Sequence, residues 1–205
     1  MEIYSIKVKS SKNTNIFTIE STLGEHMVHS DCIVKYGLKK GAIEDNVFFD
    51  ALEESDQIVA FNLAAKFLAS SMKTEKQLKD YLYKKEFKTN TINAVVKKLK
   101  EYQLIDDQNF AKSYIKSNPN FSANKLKQKL FGFGVSKQAV EELLTDFDDF
   151  DGCERSALKF MKNKPADQKT KEKLIRFLVS RGYNWNTISK VLNNLNFAIE
   201  FNCFD

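Results

Sequence analysis

Leucine returns along this chain at a fixed interval from residue 78 onward. Leu78, Leu126 and Leu174 form one column and Leu82, Leu130 and Leu178 another, each step being 48 residues. Ile92–Val140–Ile188, Val95–Leu143–Val191, Val96–Leu144–Leu192 and Leu99–Phe147–Leu195 keep the same step without a slip. Inside each copy the apolar positions fall three and four apart, the period of a helix with one buried face. Each copy therefore predicts a helix, a tight turn and a second helix. The turn reads Glu86, Gly134 and Gly182, followed by Phe87, Val135 and Tyr183. Glycine suits the left-handed residue that ends a helix, so Glu86 predicts either mild strain or a different turn in the first copy. Ser136 and Asn184 stand where the second helix needs an N-cap, and Thr89 or Asn90 does so in the first copy.

A further helix precedes each pair, marked by Ala-x-x-aromatic-aliphatic: Ala64, Phe67, Leu68; Ala111, Tyr114, Ile115; Ala157, Phe160, Met161. The pattern thus predicts three tandem three-helix repeats, 57–105, 106–149 and 151–196, with a tail at 197–205. A unit this short cannot bury its apolar face alone, so stacking in an elongated, curved array is expected. Lys129 departs from a column filled by Tyr81 and Phe177. Either the second core is looser, or Phe131 and Phe133 compensate.

The start of the chain has a different period. Tyr4, Ile6 and Val8 alternate with Ser5, Lys7 and Lys9, and Ile16, Phe17 and Ile19 come after a Ser-Lys-Asn-Thr-Asn turn. A hairpin is expected, with 26–29 as a third strand. Ser30 or Asp31 can cap a short helix over 32–36 that Gly37 stops, and Asp45 a helix carrying Val47, Phe48, Ala51 and Leu52. The expected organisation is a small β-rich module with a short helix (1–41), a connecting helix (42–56) and the repeats. The fold class is mainly α.

Charge sharpens this picture. The 205 residues, enough for one or two compact domains, carry a net charge of +5. Residues 1–63 carry −4, 64–105 +6, 106–150 −1 and 151–205 +4. The basic excess in the helical part points to an anionic partner. Only three of the cations are arginine, Arg155, Arg176 and Arg181. Lysine makes point-charge contacts, which favours backbone or protein-surface binding over base reading. No apolar run approaches the ~20 residues of a membrane span and no signal peptide is evident, so a cytoplasmic location is expected. Cys32, Cys153 and Cys203 form no ligand or disulfide pattern and read as reduced thiols. His26 and His29 lack a third ligand, so neither a metal nor another cofactor is expected.

Four features bear on chemistry. Asp106 and Asp107 precede the apolar pattern of a new helix and read as structural helix caps, because a catalytic or metal role needs partners placed by other elements. The acidic run Glu141, Glu142, Asp146, Asp148, Asp149, Asp151 and Glu154 does not match a calcium loop, and reads as a solvated helix end and linker. Basic residues recur on the middle helix: Lys125 and Lys173 after Gln77, Lys79 with Lys127, Lys85 with Arg181, beside Lys76, Lys84 and Arg176. They lie off the leucine stripe, so an outward binding face is expected. The helix–turn–helix pairs are polar at the start of their second helix, only a weak sign of DNA reading. No phosphate loop, nucleophile elbow or zinc motif appears.

These residues also carry a resemblance. Leu104-Ile105-Asp106-Asp107-x-x-Phe110-Ala111-x-x-Tyr114-Ile115 is similar to the most characteristic segment of the RecX family of recombination regulators. Ala64-x-x-Phe67-Leu68, Lys73-Thr74-Glu75-Lys76-Gln77-Leu78, Tyr81-Leu82 and Phe87 resemble that family's first repeat, and 35–41 the N-terminal module of its longer members. The chain departs at Gln103, where glycine is usual, and at Asn120-Phe121-Ser122-Ala123-Asn124, where a basic, Gly-containing entry is usual. The resemblance implies a non-enzymatic monomer that binds the RecA nucleoprotein filament and limits filament assembly, ATP hydrolysis and strand exchange. It leaves room for contact with single- or double-stranded DNA there. The alternative from the residues alone is a helical-repeat protein that binds DNA or RNA directly, without RecA.

Overall fold

The computed structural model describes residues 1–10 and 13–195. Its elements run β1 (Glu2–Ser10), β2 (Asn13–Ser21), β3 (Gly24–His29), α1 (Ser30–Lys35), β4 (Gly41–Ala42) and α2 (Asp45–Ser70). Then come α3 (Glu75–Tyr83), α4 (Thr89–Glu101), α5 (Asp107–Ser117), α6 (Ala123–Gly132), α7 (Lys137–Leu144), α8 (Phe150–Met161), α9 (Gln168–Ser180) and α10 (Trp185–Asn194). The chain is mostly helical, with a small N-terminal antiparallel sheet ordered β3-β2-β1-β4. It divides into two units, Met1–Asp106 and Asp107–Asp205. Cys203 and the expected tail, 197–205, lie outside the described residues.

In the first unit the hairpin and third strand form as their alternation predicts, with the two-residue β4 added beside β1, but the facing differs. Ile3 is fully buried, whereas Tyr4 and Val8 are exposed. The β1–β2 register shifts between Ile3 and Ser5, which puts Ile3 opposite Ser21 and Ile6 opposite Ile19. One extra residue in a strand moves the later side chains onto the other face, so a bulge aligns Ile3 with Ile6. Ile3, Ile19, Val28, Cys32, Leu38, Phe48 and Ala51 make this core. The cap of α1 is His29 rather than Ser30 or Asp31: its Nδ1 accepts the Asp31 N–H at 3.3 Å. His26 packs edge-on to Phe48 at 5.5 Å.

The two helices expected to meet near residue 56 are one helix, α2, 26 residues long. Its N-cap is Glu44, and Asp45 lies in the first turn, 2.6 Å from the Met1 ammonium. Phe48 and Ala51 of α2 belong to the sheet's core, while Ala60 and Ala64 belong to the next. No break residue occurs between 45 and 70, and nothing in the chain stops the helix at 56.

Three further cores match the three copies of the pattern. Leu78, Leu82, Ile92, Val95, Val96 and Leu99 close one between α2, α3 and α4. Leu126, Leu130, Ala139, Val140 and Leu144 close the second with Ala111, and Leu174, Leu178, Ile188, Val191 and Leu192 the third with Ala157. All six leucines of the two founding columns are fully buried.

Candidate interaction surface

The middle helix of every repeat ends the same way. The N–H of Phe87, Val135 and Tyr183 donates to the carbonyl of Leu82, Leu130 and Leu178, at 3.4, 3.0 and 3.3 Å. One residue earlier, the N–H of Glu86, Gly134 and Gly182 donates to Tyr83, Phe131 and Val179, at 2.9, 2.9 and 2.8 Å. This nested pair is a Schellman motif, which requires a left-handed residue between. Gly134 and Gly182 both have φ of +87°, and Glu86 adopts +65° in the same place. The first copy thus keeps the turn and accepts the strain. Gln103, with φ of +55°, ends α4 by the same bonds, Gln103 N–H to Lys100 and Leu104 N–H to Leu99, both 2.9 Å.

The turn fixes an aromatic pair beside a cation. Phe67 stacks on Tyr81 at 4.3 Å, and Phe160 meets Phe177 at 4.9 Å with the rings tilted by 30°. One helical turn after each inner ring, the Lys85 ammonium lies 5.9 Å from Tyr81 and the Arg181 guanidinium 4.6 Å from Phe177. In the second repeat the ring moves one turn on: Lys129 is exposed, and Phe133, at the cation's position, packs 5.1 Å from Tyr114 and 5.5 Å from Phe110. Phe133 therefore supplies the ring that Lys129 lacks, and the core is not left short. Phe131 does not share this role, being exposed.

The cations expected on the outward face divide into two groups. Lys76, Lys84, Lys85, Lys173, Arg176 and Arg181 are exposed, Arg176 at 3.4 Å from Glu172. Lys79, Lys125 and Lys127 are half-buried, which corrects the expectation that all point to solvent. The third copy of the Lys79–Lys127 position is Ile175, which packs against its core, so this column lies on the edge of the apolar stripe. A lysine there lays its methylenes on apolar surface and holds its ammonium at the rim. Lys79 pairs with Glu75 at 2.6 Å, and Lys100 of α4 pairs with the same carboxylate. Burial would raise the Glu75 carboxyl, but hydrogen bonds from Lys100 and Lys79 outweigh it and hold the group below its ordinary value.

The caps deviate where the chain offers no side chain. Thr74 and Gln77 form a reciprocal capping box on α3, and Ser122, Ser136 and Asn184 cap α6, α7 and α10. Helix α4 begins from Lys88 without a side-chain cap, and Thr89 is already its first residue. Helix α9 starts one turn early, from Asp167, whose carboxylate accepts the Thr170 N–H at 2.8 Å. Asp107 opens α5 and Asp106 immediately precedes it.

Sequence reasoning missed a polar joint in the second unit. Residues 119–124 enter α6 and lie against α8 and the α9–α10 turn. Ser122 Oγ donates to the Arg181 carbonyl at 3.0 Å, Asn124 to the Gly182 carbonyl at 3.2 Å, and the Tyr183 hydroxyl to the Asn120 carbonyl at 2.8 Å. Arg155 reaches Asn120 and the Pro119 carbonyl at 2.9 and 3.0 Å. Asp149, expected in a solvated linker, is buried and accepts from the Ala123 N–H and the Thr187 hydroxyl, both at 3.0 Å. A Cβ on Gly152 would come within 2.6 Å of the Pro119 carbonyl oxygen, and one on Gly182 within 2.7 Å of Ser122 Oγ. The unusual Asn120–Asn124 segment is thus the second repeat's contact with the third. Gly152 was the available signal, since a glycine inside α8 marks a close approach that the helix pattern does not need, whereas Gly182 is already explained by its turn.

Among the described residues, no group of three His, Cys, Asp or Glu side chains could hold a metal ion. No helix there is long and apolar enough to cross a membrane. Cys32 and Cys153 are buried and unpaired, and burial pushes their thiols up to about 11 and about 12.

Comparison with known proteins agrees with this architecture. The model of the first RecX three-helix domain matches residues 60–99, and that of the third matches 148–192. The regulatory protein RecX of Clostridium acetobutylicum is 31% identical over 178 residues, 82% of this chain and 83% of its own. That of Streptococcus mutans is 30% identical over 199 residues, 91% of this chain and 76% of its own. A crystal structure of regulatory protein RecX superposes with a TM-score of 0.69 over 94% of this chain and 98% of that one, at 20% identity.

Proposed function

This chain belongs to the RecX family, and from that premise we propose that it is a non-enzymatic regulator that binds the RecA nucleoprotein filament and limits its assembly, ATP hydrolysis and strand exchange. The relatives it matches are named regulatory proteins, and the family assignment carries a regulatory role. The observation that supports filament binding is the recurrence of cations on the middle helices α3, α6 and α9. At the 48-residue step Lys79 corresponds to Lys127, Lys125 to Lys173 and Lys85 to Arg181, so each column holds a cation in two of the three repeats, with Lys76, Lys84 and Arg176 on the same helices. Cations on the middle helix of each repeat suit a long anionic or acidic partner, because each repeat adds a modest screened attraction and the sum is large. Asp106 and Asp107 are read as the start of a repeat, not as reactive groups. The protein acts as a monomer in the cytoplasm, with RecA as its partner and any DNA contact made within the filament.

The test is RecA's single-stranded-DNA-dependent ATPase, with filament length measured in parallel, as this protein is added up to equimolar amounts. Both should fall, and a Lys84→Glu, Lys85→Glu, Arg181→Glu variant should lose most of the effect at unchanged melting temperature. Unaltered ATPase and filament length would sink the proposal. Tight, steeply salt-dependent binding to bare nucleic acid, with no preference for the filament, would transfer it to the direct DNA- or RNA-binding alternative.

A further inference from the structure

Tyr83, Phe131 and Val179 occupy one repeat position, 48 residues apart, in the last turn of the middle helix. They are 47%, 43% and 54% exposed. A single exposed apolar side chain needs no explanation. Recurrence does: Met72, Tyr102, Leu104, Leu158 and Trp185 are also exposed, yet none has an exposed large apolar counterpart one repeat away among the described residues.

The turn does not require these side chains, and the Tyr83 hydroxyl lies 3.5 Å from Thr89 Oγ1, the long limit of a hydrogen bond. In the Schellman turn this position contributes its carbonyl, which any residue has. The apolar packing that accompanies the motif comes from the residues beside it, Leu82 and Phe87 in one core, Leu130 and Val135 in the next, Leu178 and Tyr183 in the third. On the helix surface each exposed residue has a cation one turn behind it: Lys79, Lys127 and Arg176. Further cations, Lys84 and Lys85 or Arg181, come after it in the first and third repeats.

We propose that Tyr83, Phe131 and Val179 are contact anchors, one per repeat, that fill apolar pockets on an acidic protein surface. Apolar side chains flanked by cations, of which Lys79 and Arg176 share their charge with Glu75 and Glu172, complement a pocket rimmed by carboxylates, where the cations guide approach and the buried anchor slows release. The partner surface is protein rather than nucleic acid. Bases stack on rings, and Val179 has none; what the three share is apolar bulk. The inference rests on the proposed filament binding and deepens it. A polymer of identical subunits offers the same pocket repeatedly, and this chain offers the same anchor repeatedly.

The experiment uses the full chain, labelled with a fluorophore and titrated against RecA filaments on single-stranded DNA and against the same DNA bare. Tyr83→Ser, Phe131→Ser and Val179→Ser are measured singly and together, with Tyr83→Phe as the conservative variant and melting temperature as the control for folding. Each serine variant should weaken filament binding about tenfold and the triple variant about a hundredfold or more. Tyr83→Phe should bind like the parent. The melting temperature, the salt dependence and bare-DNA binding should stay as in the parent. A triple variant that binds filaments within about twofold of the parent overturns the anchors while leaving the filament reading intact. Loss of bare-DNA binding on changing Tyr83 and Phe131, but not Val179, overturns them in favour of base stacking. A parent chain that fails to bind filaments overturns both readings together.

Discussion

Glu86 tests whether the three turns obey one rule. It holds φ of +65° where the other copies use glycine at +87°, and its turn bonds to Tyr83 and Leu82 are the same. A side chain in the left-handed region costs about 1–2 kcal/mol. Glycine recovers that cost but loses about 0.5–1 kcal/mol through the greater freedom of its unfolded chain. Glu86→Gly should therefore stabilise the protein by about 0.5–1 kcal/mol. In a unit of this size that raises the melting temperature by about 4 °C. Glu86→Ala separates backbone strain from lost charge, since it keeps the Cβ and removes the carboxylate, and it should give no gain. Gln103→Gly relieves the second left-handed side chain, at +55°, and should add a comparable increment. Calorimetry and urea unfolding of the four proteins decide the matter. If Glu86→Gly leaves the midpoint unmoved, or Glu86→Ala stabilises it equally, the strain argument is wrong.

Two other perturbations probe the polar contacts. Asp149→Ala leaves the Ala123 N–H and the Thr187 hydroxyl without their acceptor, and should cost about 2–3 kcal/mol by urea unfolding; a loss below about 0.5 kcal/mol would contradict a joint held by that carboxylate. Glu75 contributes stability above the carboxylate's unfolded pKa and loses it as the pH falls through its lowered folded value. Glu75→Gln should therefore cost about 0.5 kcal/mol near neutrality, discounted for solvent screening, and nothing well below pH 4.5. A difference that persists in acid would show that the Lys79–Glu75–Lys100 cluster is not what stabilises the helix start.

Much of the helical architecture was legible because its causes are local and repeated. A leucine column at a constant interval fixes the buried face, and a glycine after it fixes the turn. The failures share a different cause. The bulge that buries Ile3 in place of Tyr4 depends on pairing with β2, which the alternation of β1 alone does not encode. The single helix across residue 56 runs between two cores that each explain only half its apolar residues. Asp149 sits in a run of acids, and only the fold brings Ala123 and Thr187 to it. The candidate face was half legible. Spacing identified the cations, but the half-burial of Lys79 and Lys127 comes from where the stripe's edge falls. The exposed apolar column stood inside the same repeat and was hidden by being apolar, since that is the character of core residues.

The unbroken α2 bears on how the first unit can come apart. A helix of 26 residues is about 39 Å long, and one end is packed into the sheet's core while the other is packed into the first repeat's. Neither core can melt without baring part of the other's shared shaft. The β-rich module and the first repeat should therefore unfold in one transition. A cut that removes the sheet would strip one end of this helix of its apolar cover, so the module is not a detachable ornament on the repeats but one half of a single cooperative body.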